Sequence, residues 1–123
     1  MHELGIAESI LNAIRLKSGE LAGASITAVG LRIGVLSNIV DESLRFAFEV
    51  ISKDTEFAGI KLDIENCPVL IECLDCGKRN TVVEYRFSCE GCGSGRVKVI
   101  QGYELEIAYM EIESGFPERR SPN

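Results

Sequence analysis

The sequence contains two C-x-x-C pairs, Cys73-Leu74-Asp75-Cys76 and Cys89-Glu90-Gly91-Cys92, with twelve residues between them. Two residues between cysteines allow one tight turn to direct both sulfur atoms at a common point. Gly77 and Gly93 directly follow the pairs, where backbone amides must crowd the sulfurs. Two such turns facing each other predict a tetrahedral cage of four thiolates. Zinc suits that cage because it favours soft ligands and has no geometric preference of its own.

Four thiolates leave no open coordination position, so the cage is predicted to be structural rather than hydrolytic. Redox dithiols of the thioredoxin kind normally begin a helix after a strand, and neither pair is followed by helical periodicity. A rubredoxin-type iron site uses the same four sulfurs, and spacing alone does not separate it from zinc. Thr81-Val82-Val83 predicts a short hairpin between the turns. The fifth cysteine, Cys67 before Pro68, is interpreted as a small apolar residue at a strand end.

The segments around the cysteines follow helical or strand periodicity. Residues 4–17 and a segment that begins at Asp41, the expected N-cap, have apolar residues at helical spacing. Residues 25–35, 60–65 and 103–109 alternate as strands do, and the last is expected to rejoin the first sheet. The apolar positions are Leu4, Ala7, Leu11 and Ile14 in the first helix, Leu44, Ala47, Phe48 and Ile51 in the second, and Val29, Leu31, Ile33 and Val35 in the first strand.

These elements predict an α+β fold in which two helices pack on a small mixed β-sheet, with an inserted four-cysteine module that resembles a zinc ribbon. The expected α/β domain comprises residues 1–66 plus 101–113. The zinc-binding module comprises residues 67–100. Residues 114–123, which contain two prolines and a glycine, are expected to form a flexible C-terminal tail.

The charge balance bears on the classes of partner. The 123 residues include 13 Lys and Arg against 19 Asp and Glu, a net charge of −6, which disfavours binding to nucleic acid and to anionic membranes. The first residues do not form a secretory signal, and Arg32 interrupts the apolar stretch 21–40. We therefore expect a cytoplasmic protein. A zinc-ribbon module that only binds another protein or a nucleic acid is the alternative interpretation.

The single histidine, His2, follows Met1. The α-amine of Met1, the backbone nitrogen of His2 and its imidazole can form adjoining chelate rings of five and six atoms. The next amide or the Glu3 carboxylate can supply a fourth donor. Such a nitrogen-rich site fits Ni(II) or Cu(II) better than Zn(II), and the residues alone do not name the metal. Proton competition at the amine and imidazole predicts weaker binding at lower pH. With no second histidine and no nucleophile motif, a small metalloenzyme is the weaker hypothesis.

The sequence resembles the HypA/HybF family of hydrogenase nickel-incorporation proteins over residues 1–113. The resemblance lies in the start Met1-His2-Glu3-Leu4, the strand Val29–Gly34, the second-helix segment Leu44–Phe48, both C-x-x-C pairs, and Gly102-Tyr103-Glu104-Leu105. It implies a non-enzymatic nickel metallochaperone for [NiFe]-hydrogenase maturation.

The resemblance also implies the metal ligands and the partners. Nickel would be held by Met1, His2 and Glu3, and zinc by Cys73, Cys76, Cys89 and Cys92. The implied partners are a nickel-handling GTPase and the hydrogenase large-subunit precursor, with a homodimer left open and urease maturation compatible with the family. Some family members carry histidines beside the zinc loop; this chain has none there, and Cys67 stands where an aliphatic residue is expected.

Overall fold

The computed structural model describes residues 2–21 and 23–114, apart from the side chains of His2 and Ser114. Met1 and most of the predicted C-terminal tail, residues 115–123, lie outside this part of the chain. The described elements are α1 (His2–Ser18), β1 (Ala24–Gly34), a 3-10 turn (Val35–Ser37), α2 (Asp41–Ser52), β2 (Lys61–Cys67), β3 (Leu70–Cys73), β4 (Arg79–Thr81), β5 (Val97–Gln101) and β6 (Leu105–Ser114). The strands form two three-stranded sheets, β2-β1-β6 and β4-β3-β5. The predicted α+β class is therefore confirmed.

The chain divides into two compact units. The helical unit comprises Met1–Leu31, Ile39–Ile64 and Ile107–Asn123, and the cysteine unit comprises Arg32–Asn38 and Glu65–Glu106. The four cysteines of the two C-x-x-C pairs fall in the cysteine unit. Both helices fall in the helical unit.

Helices α1 and α2 contact each other within the helical unit, because each has one apolar face. The buried positions are Ala7, Ile10, Leu11 and Ile14 in α1, and Leu44, Ala47 and Phe48 in α2. Leu4, expected on the apolar face of the first helix, is instead exposed, because it lies in the first turn of α1 and lines a surface groove. Carboxylates in the first turn, Glu3 in α1 and Asp41 and Glu42 in α2, complement the helix dipoles. The N-cap prediction was wrong by one residue: Val40 occupies the cap, and Asp41 is the first residue of α2.

Strand β1 is the central strand of the first sheet, and Val29, Leu31 and Ile33 are buried as the alternation predicts. Beside Gly30 the ring of Tyr109 occupies the space that a side chain would need, and the Tyr109 hydroxyl donates to Asp63 at 3.2 Å. The return of the last strand to this sheet is confirmed, since β6 neighbours β1. Val35 departs from the pattern because the chain enters the 3-10 turn there, and it is exposed.

The second sheet lies in the cysteine unit and was not anticipated as a sheet. Strand β3 pairs antiparallel with β4 and with β5, with Ile71 opposite both Asn80 and Val99. The predicted hairpin between the cysteine turns was wrong. The hairpin formed by β3 and β4 instead encloses the first turn, and β4 ends at Thr81.

Candidate metal centre

The first cysteine turn connects β3 to β4. Cys73 is the last residue of β3, and its carbonyl accepts a hydrogen bond from the N–H of Gly77 at 2.9 Å. Gly77 has φ +80°, a left-handed conformation that favours glycine. The N–H of Cys73 in turn donates to the carbonyl of Lys78 at 2.9 Å, which closes the turn.

The second cysteine turn repeats this geometry sixteen positions later in the chain. The N–H of Gly93 donates to the carbonyl of Cys89 at 2.8 Å, and the N–H of Cys89 donates to the carbonyl of Ser94 at 2.9 Å. Gly93 has φ +77°, close to the value at Gly77. The glycine after each pair is therefore required by the backbone conformation of the turn.

The four sulfurs come together as the spacing predicts, all within 4.8 Å of one another. Cys73 Sγ lies 3.6 Å from Cys92 Sγ, and Cys76 Sγ lies 3.6 Å from Cys89 Sγ. All five cysteines are unpaired thiols. In a tetrahedral site with a zinc–sulfur distance of about 2.3 Å, neighbouring sulfurs stand about 3.8 Å apart. The donor set and its spacing therefore fit a tetrahedral metal ion.

Backbone N–H groups point at the first sulfur of each pair. Cys73 Sγ accepts from the N–H of Asp75 and of Cys76, both at 3.4 Å. Cys89 Sγ accepts from the N–H of Gly91 at 3.3 Å and of Cys92 at 3.4 Å. These first cysteines are buried, whereas Cys76 and Cys92 are exposed.

The pKa values of the thiols fall into two groups, lowered at the first cysteine of each pair and raised at the second. The N–H of Cys76 lowers the pKa of Cys73, and the N–H of Cys92 lowers the pKa of Cys89 to about 6. At Cys92 the N–H of Ser94 acts to lower the pKa, but the nearby sulfurs outweigh it, Cys73 foremost, and raise the pKa to about 12. Four thiolates at this spacing repel one another, so all four ionise together only when a cation balances their charge.

Three polar side chains connect the two cysteine turns. Asp75, in the first turn, accepts hydrogen bonds from the Ser94 hydroxyl and the Arg96 guanidinium, both of which follow the second turn. The Arg96 side chain is 68% exposed and that of Asp75 39%. An ion pair this exposed contributes about 0–1 kcal/mol, so it orients the turns more than it stabilises them.

Of the three predicted nickel ligands, the structure describes only the side chain of Glu3; Met1 and the His2 side chain lie outside it. Glu3 Oε2 accepts a hydrogen bond from the N–H of Val40, the N-cap of α2, at 3.2 Å. Glu3 and Glu42 line one surface groove whose other residues are mainly apolar, Leu4 and Phe46 among them. The start of α1 thus lies beside the start of α2, with two carboxylates in the groove.

Cys67 is the last residue of β2 and is buried, as predicted. Burial raises the pKa of its thiol, which favours the neutral form. It is not a member of the group of four cysteines. The residues that sequence reasoning missed are Asn80, Ser94 and Arg96, because their partners lie across the cysteine unit and no local pattern marks them.

The fold and the cysteine cluster define a class of protein: a two-helix α+β unit combined with a four-cysteine metal-binding unit. Among the described residues, neither helix combines the length and hydrophobicity that crossing a bilayer requires. The model of the family described as "HypA: Hydrogenase/urease nickel incorporation, metallochaperone" matches residues 1–112. The chain belongs to this family.

Curated relatives and solved structures agree with that assignment. The hydrogenase maturation factor HypA of Desulfatibacillum aliphaticivorans is 39% identical over 113 residues, covering 91% of this chain and 87% of the relative. The HypA of Roseiflexus sp. is 35% identical over 119 residues, covering 96% and 97%. The solution structure of the Ni metallochaperone HypA from Helicobacter pylori matches with TM-score 0.60 and 24% identity, covering 91% and 97%, which supports the fold alone. A second solution structure of a HypA protein gives TM-score 0.68 at 25% identity, covering 92% and 97%.

Proposed function

We propose that this chain binds Ni(II) at its N-terminus and delivers it during maturation of [NiFe]-hydrogenase, while zinc in the four-cysteine site has a structural role. One observation carries the proposal: the match to a nickel-incorporation family begins at residue 1 and includes both cysteine pairs. Residues 1–66 plus 101–113 are assigned to nickel binding and residues 67–100 to zinc binding.

Nickel is the cargo, and its proposed ligands are the α-amine of Met1, the backbone and imidazole nitrogens of His2, and the Glu3 carboxylate. Helix α1 begins at His2, where backbone N–H groups have no acceptor inside the helix. The backbone nitrogen of His2 can therefore bind a metal without breaking a helical hydrogen bond. The positive end of the helix dipole opposes a cation, and the carboxylates of Glu3 and Glu42 in the groove offset this effect.

Zinc is assigned to Cys73, Cys76, Cys89 and Cys92. When bound, it supplies charge compensation and a cross-link between the two cysteine turns. No coordination position is left for a substrate, so we assign no catalytic activity to this site. A terminal chelate exchanges its ion more readily than a four-thiolate cage, and a carrier must release its cargo. We therefore propose that the first residues deliver nickel and that the cysteines stabilise the fold of their unit.

The proposed partners are a nickel-handling GTPase and the hydrogenase large-subunit precursor, both met in the cytoplasm. The cysteine unit has three apolar or aromatic side chains that are each more than half exposed, Leu74, Val83 and Tyr85. This observation also favours the second candidate, a zinc-stabilised module that binds another protein without carrying nickel. Nickel binding separates the two candidates.

The test compares two variants, each of which should lose one metal and keep the other. Both are prepared with a native N-terminus. His2→Ala should lose nickel binding in a titration and keep the wild-type zinc content. Cys76→Ala should lose zinc by elemental analysis and keep nickel binding at the N-terminus. Unchanged nickel affinity in His2→Ala would refute the terminal site. Unchanged zinc content in Cys76→Ala, or iron in its place in the wild type, would refute the zinc assignment.

A further inference from the structure

Asn80 is a buried polar side chain next to the metal-binding cysteines. It lies in the middle of β4, opposite Ile71 of β3, and is 3% exposed. A buried carboxamide is costly unless its donors and acceptor are satisfied. The partners of Asn80 therefore show what the side chain is doing there.

The carboxamide of Asn80 has three partners, two of which belong to the second cysteine turn. Its Oδ1 accepts from the N–H of Glu90 at 3.0 Å, and its Nδ2 donates to the carbonyl of Lys78 at 3.2 Å. Nδ2 also lies 3.7 Å from Cys89 Sγ, within range of an N–H···S hydrogen bond. Because only the oxygen can accept from Glu90, the amide orientation is fixed and the N–H group faces the sulfur.

Asn80 reaches from one half of the cluster to the other. Its strand, β4, leaves the first cysteine turn, whereas Glu90 and Cys89 belong to the second. Cys89 Sγ accepts from Gly91, Cys92 and Asn80, so a side chain adds to the two backbone donors there. An N–H group directed at a thiolate draws electron density from the sulfur and fixes its direction.

We propose that Asn80 is a positioning residue of the metal centre, whose carboxamide holds the sulfur of Cys89 and the backbone of Glu90 in place for the metal. The inference rests on the proposed metal site and deepens it. Through Asn80 the second cysteine turn is attached to the hairpin of the first turn by protein atoms, so the four sulfurs face one another before an ion arrives. Fewer degrees of freedom are then lost when the metal binds.

Asn80→Asp is the most direct test because it changes one end of the side chain. The variant keeps an oxygen for the N–H of Glu90 and nearly the same volume, but an anionic oxygen replaces the N–H that faces Cys89 Sγ. We expect the affinity for cobalt(II) to fall by about 10- to 100-fold. In the cobalt(II)-loaded protein, the sulfur-to-cobalt charge-transfer band should move to longer wavelength, because the sulfur lone pairs rise in energy.

Two further variants complete the experiment. Thr81→Asp adds the same charge at an exposed neighbouring position on β4, and should leave both affinity and band position as in the wild type. Asn80→Ala removes the carboxamide without adding charge, and its band should move in the same direction as that of Asn80→Asp. It also provides the spectrum if Asn80→Asp does not fold.

The outcomes separate this inference from the proposed function. If Asn80→Asp and Asn80→Ala bind cobalt with the wild-type band position, the positioning role is wrong. A fall in affinity alone does not support the role, because a weakened fold also lowers affinity. If the wild type binds no metal at the cysteines, and Cys76→Ala changes nothing, the metal site itself is wrong.

Discussion

The Glu3 carboxylate accepts a hydrogen bond within the fold and is also a proposed metal ligand. Its Oε2 accepts from the N–H of Val40, which attaches the first turn of α1 to the start of α2. The same side chain is a proposed nickel ligand. A hydrogen-bond acceptor needs only an oxygen atom, whereas a carboxylate ligand also contributes negative charge, so the two roles can be tested separately.

Two substitutions at Glu3 distinguish these roles. Glu3→Gln keeps an oxygen acceptor for Val40 and removes the charge, so we expect weaker nickel binding with only the small loss of stability that follows from losing a negative charge at the N-terminus of α1. Glu3→Ala removes both and should in addition lower the free energy of unfolding by about 0.5–1 kcal/mol, the range of one hydrogen bond. Isothermal titration with nickel and urea unfolding measure the two effects. Wild-type nickel affinity in Glu3→Gln would exclude the carboxylate from the ligand set.

The four-cysteine cluster could be predicted from the sequence, whereas the residues that support it could not. The C-x-x-C spacing and the glycine after each pair are local requirements of one turn, so the convergence of four sulfurs follows from about five consecutive residues on each side. Asn80 acts on Glu90, ten residues away, and Asp75 acts on Arg96, twenty-one residues away. Contacts of that kind depend on strand register, which the sequence pattern did not predict.

Among the elements, the helices were predicted best because their apolar faces have a clear period. In α2 the predicted positions Leu44, Ala47 and Phe48 are buried, and Ile51 is half-buried. The short strands were predicted poorly. Strands β3 and β4 have four and three residues, too few for alternation to be recognised, and the β-prone Thr81–Val83 was assigned to the wrong hairpin.

Two glycines of β1 allow close approaches that no sequence period reveals. A Cβ atom at Gly34 would stand 2.0 Å from the carbonyl oxygen of Gly102, and one at Gly30 would stand 2.0 Å from a ring carbon of Tyr109. Backbone cannot move aside as a side chain can. Tyr109 is 46% exposed and can turn toward solvent, at the loss of its hydrogen bond to Asp63.

These contacts predict an order of stability for alanine variants. Gly34→Ala should lower the free energy of unfolding by about 1–3 kcal/mol, the range for overpacking, and Gly30→Ala should cost less. Gly95→Ala is the matched control, because no atom lies within 4 Å of its added Cβ. Urea denaturation measures all three. Equal midpoints for Gly34→Ala and Gly95→Ala would contradict the close approach at Gly102.

For the molecule as a whole, the protonation of the cysteines makes metal binding depend on pH. The pKa of Cys92 is raised to about 12, and that of Cys76 also lies above its ordinary value despite the N–H of Lys78, because the other sulfurs are close. Both thiols are therefore protonated at pH 7 without a metal. Zinc must displace their protons, so its affinity should rise as pH rises.

Proton release provides the measurement for this coupling. At pH 7 zinc binding should release the protons of Cys76 and Cys92, whereas Cys89, with a pKa of about 6, is already mostly ionised. Calorimetry in buffers of different ionisation enthalpy counts the protons released. Zinc binding without proton release at pH 7 would contradict the division of the four thiols.

The distribution of roles over the molecule is the central claim. We propose that the four-cysteine site has a structural role and that the first residues hold the exchangeable nickel ion. X-ray absorption spectroscopy of the nickel-loaded protein, prepared without a leading tag and with zinc in place, tests this claim most directly. We predict nickel surrounded by nitrogen and oxygen ligands with an imidazole contribution that disappears in His2→Ala. Sulfur ligands around nickel, unchanged by that substitution, would contradict the account.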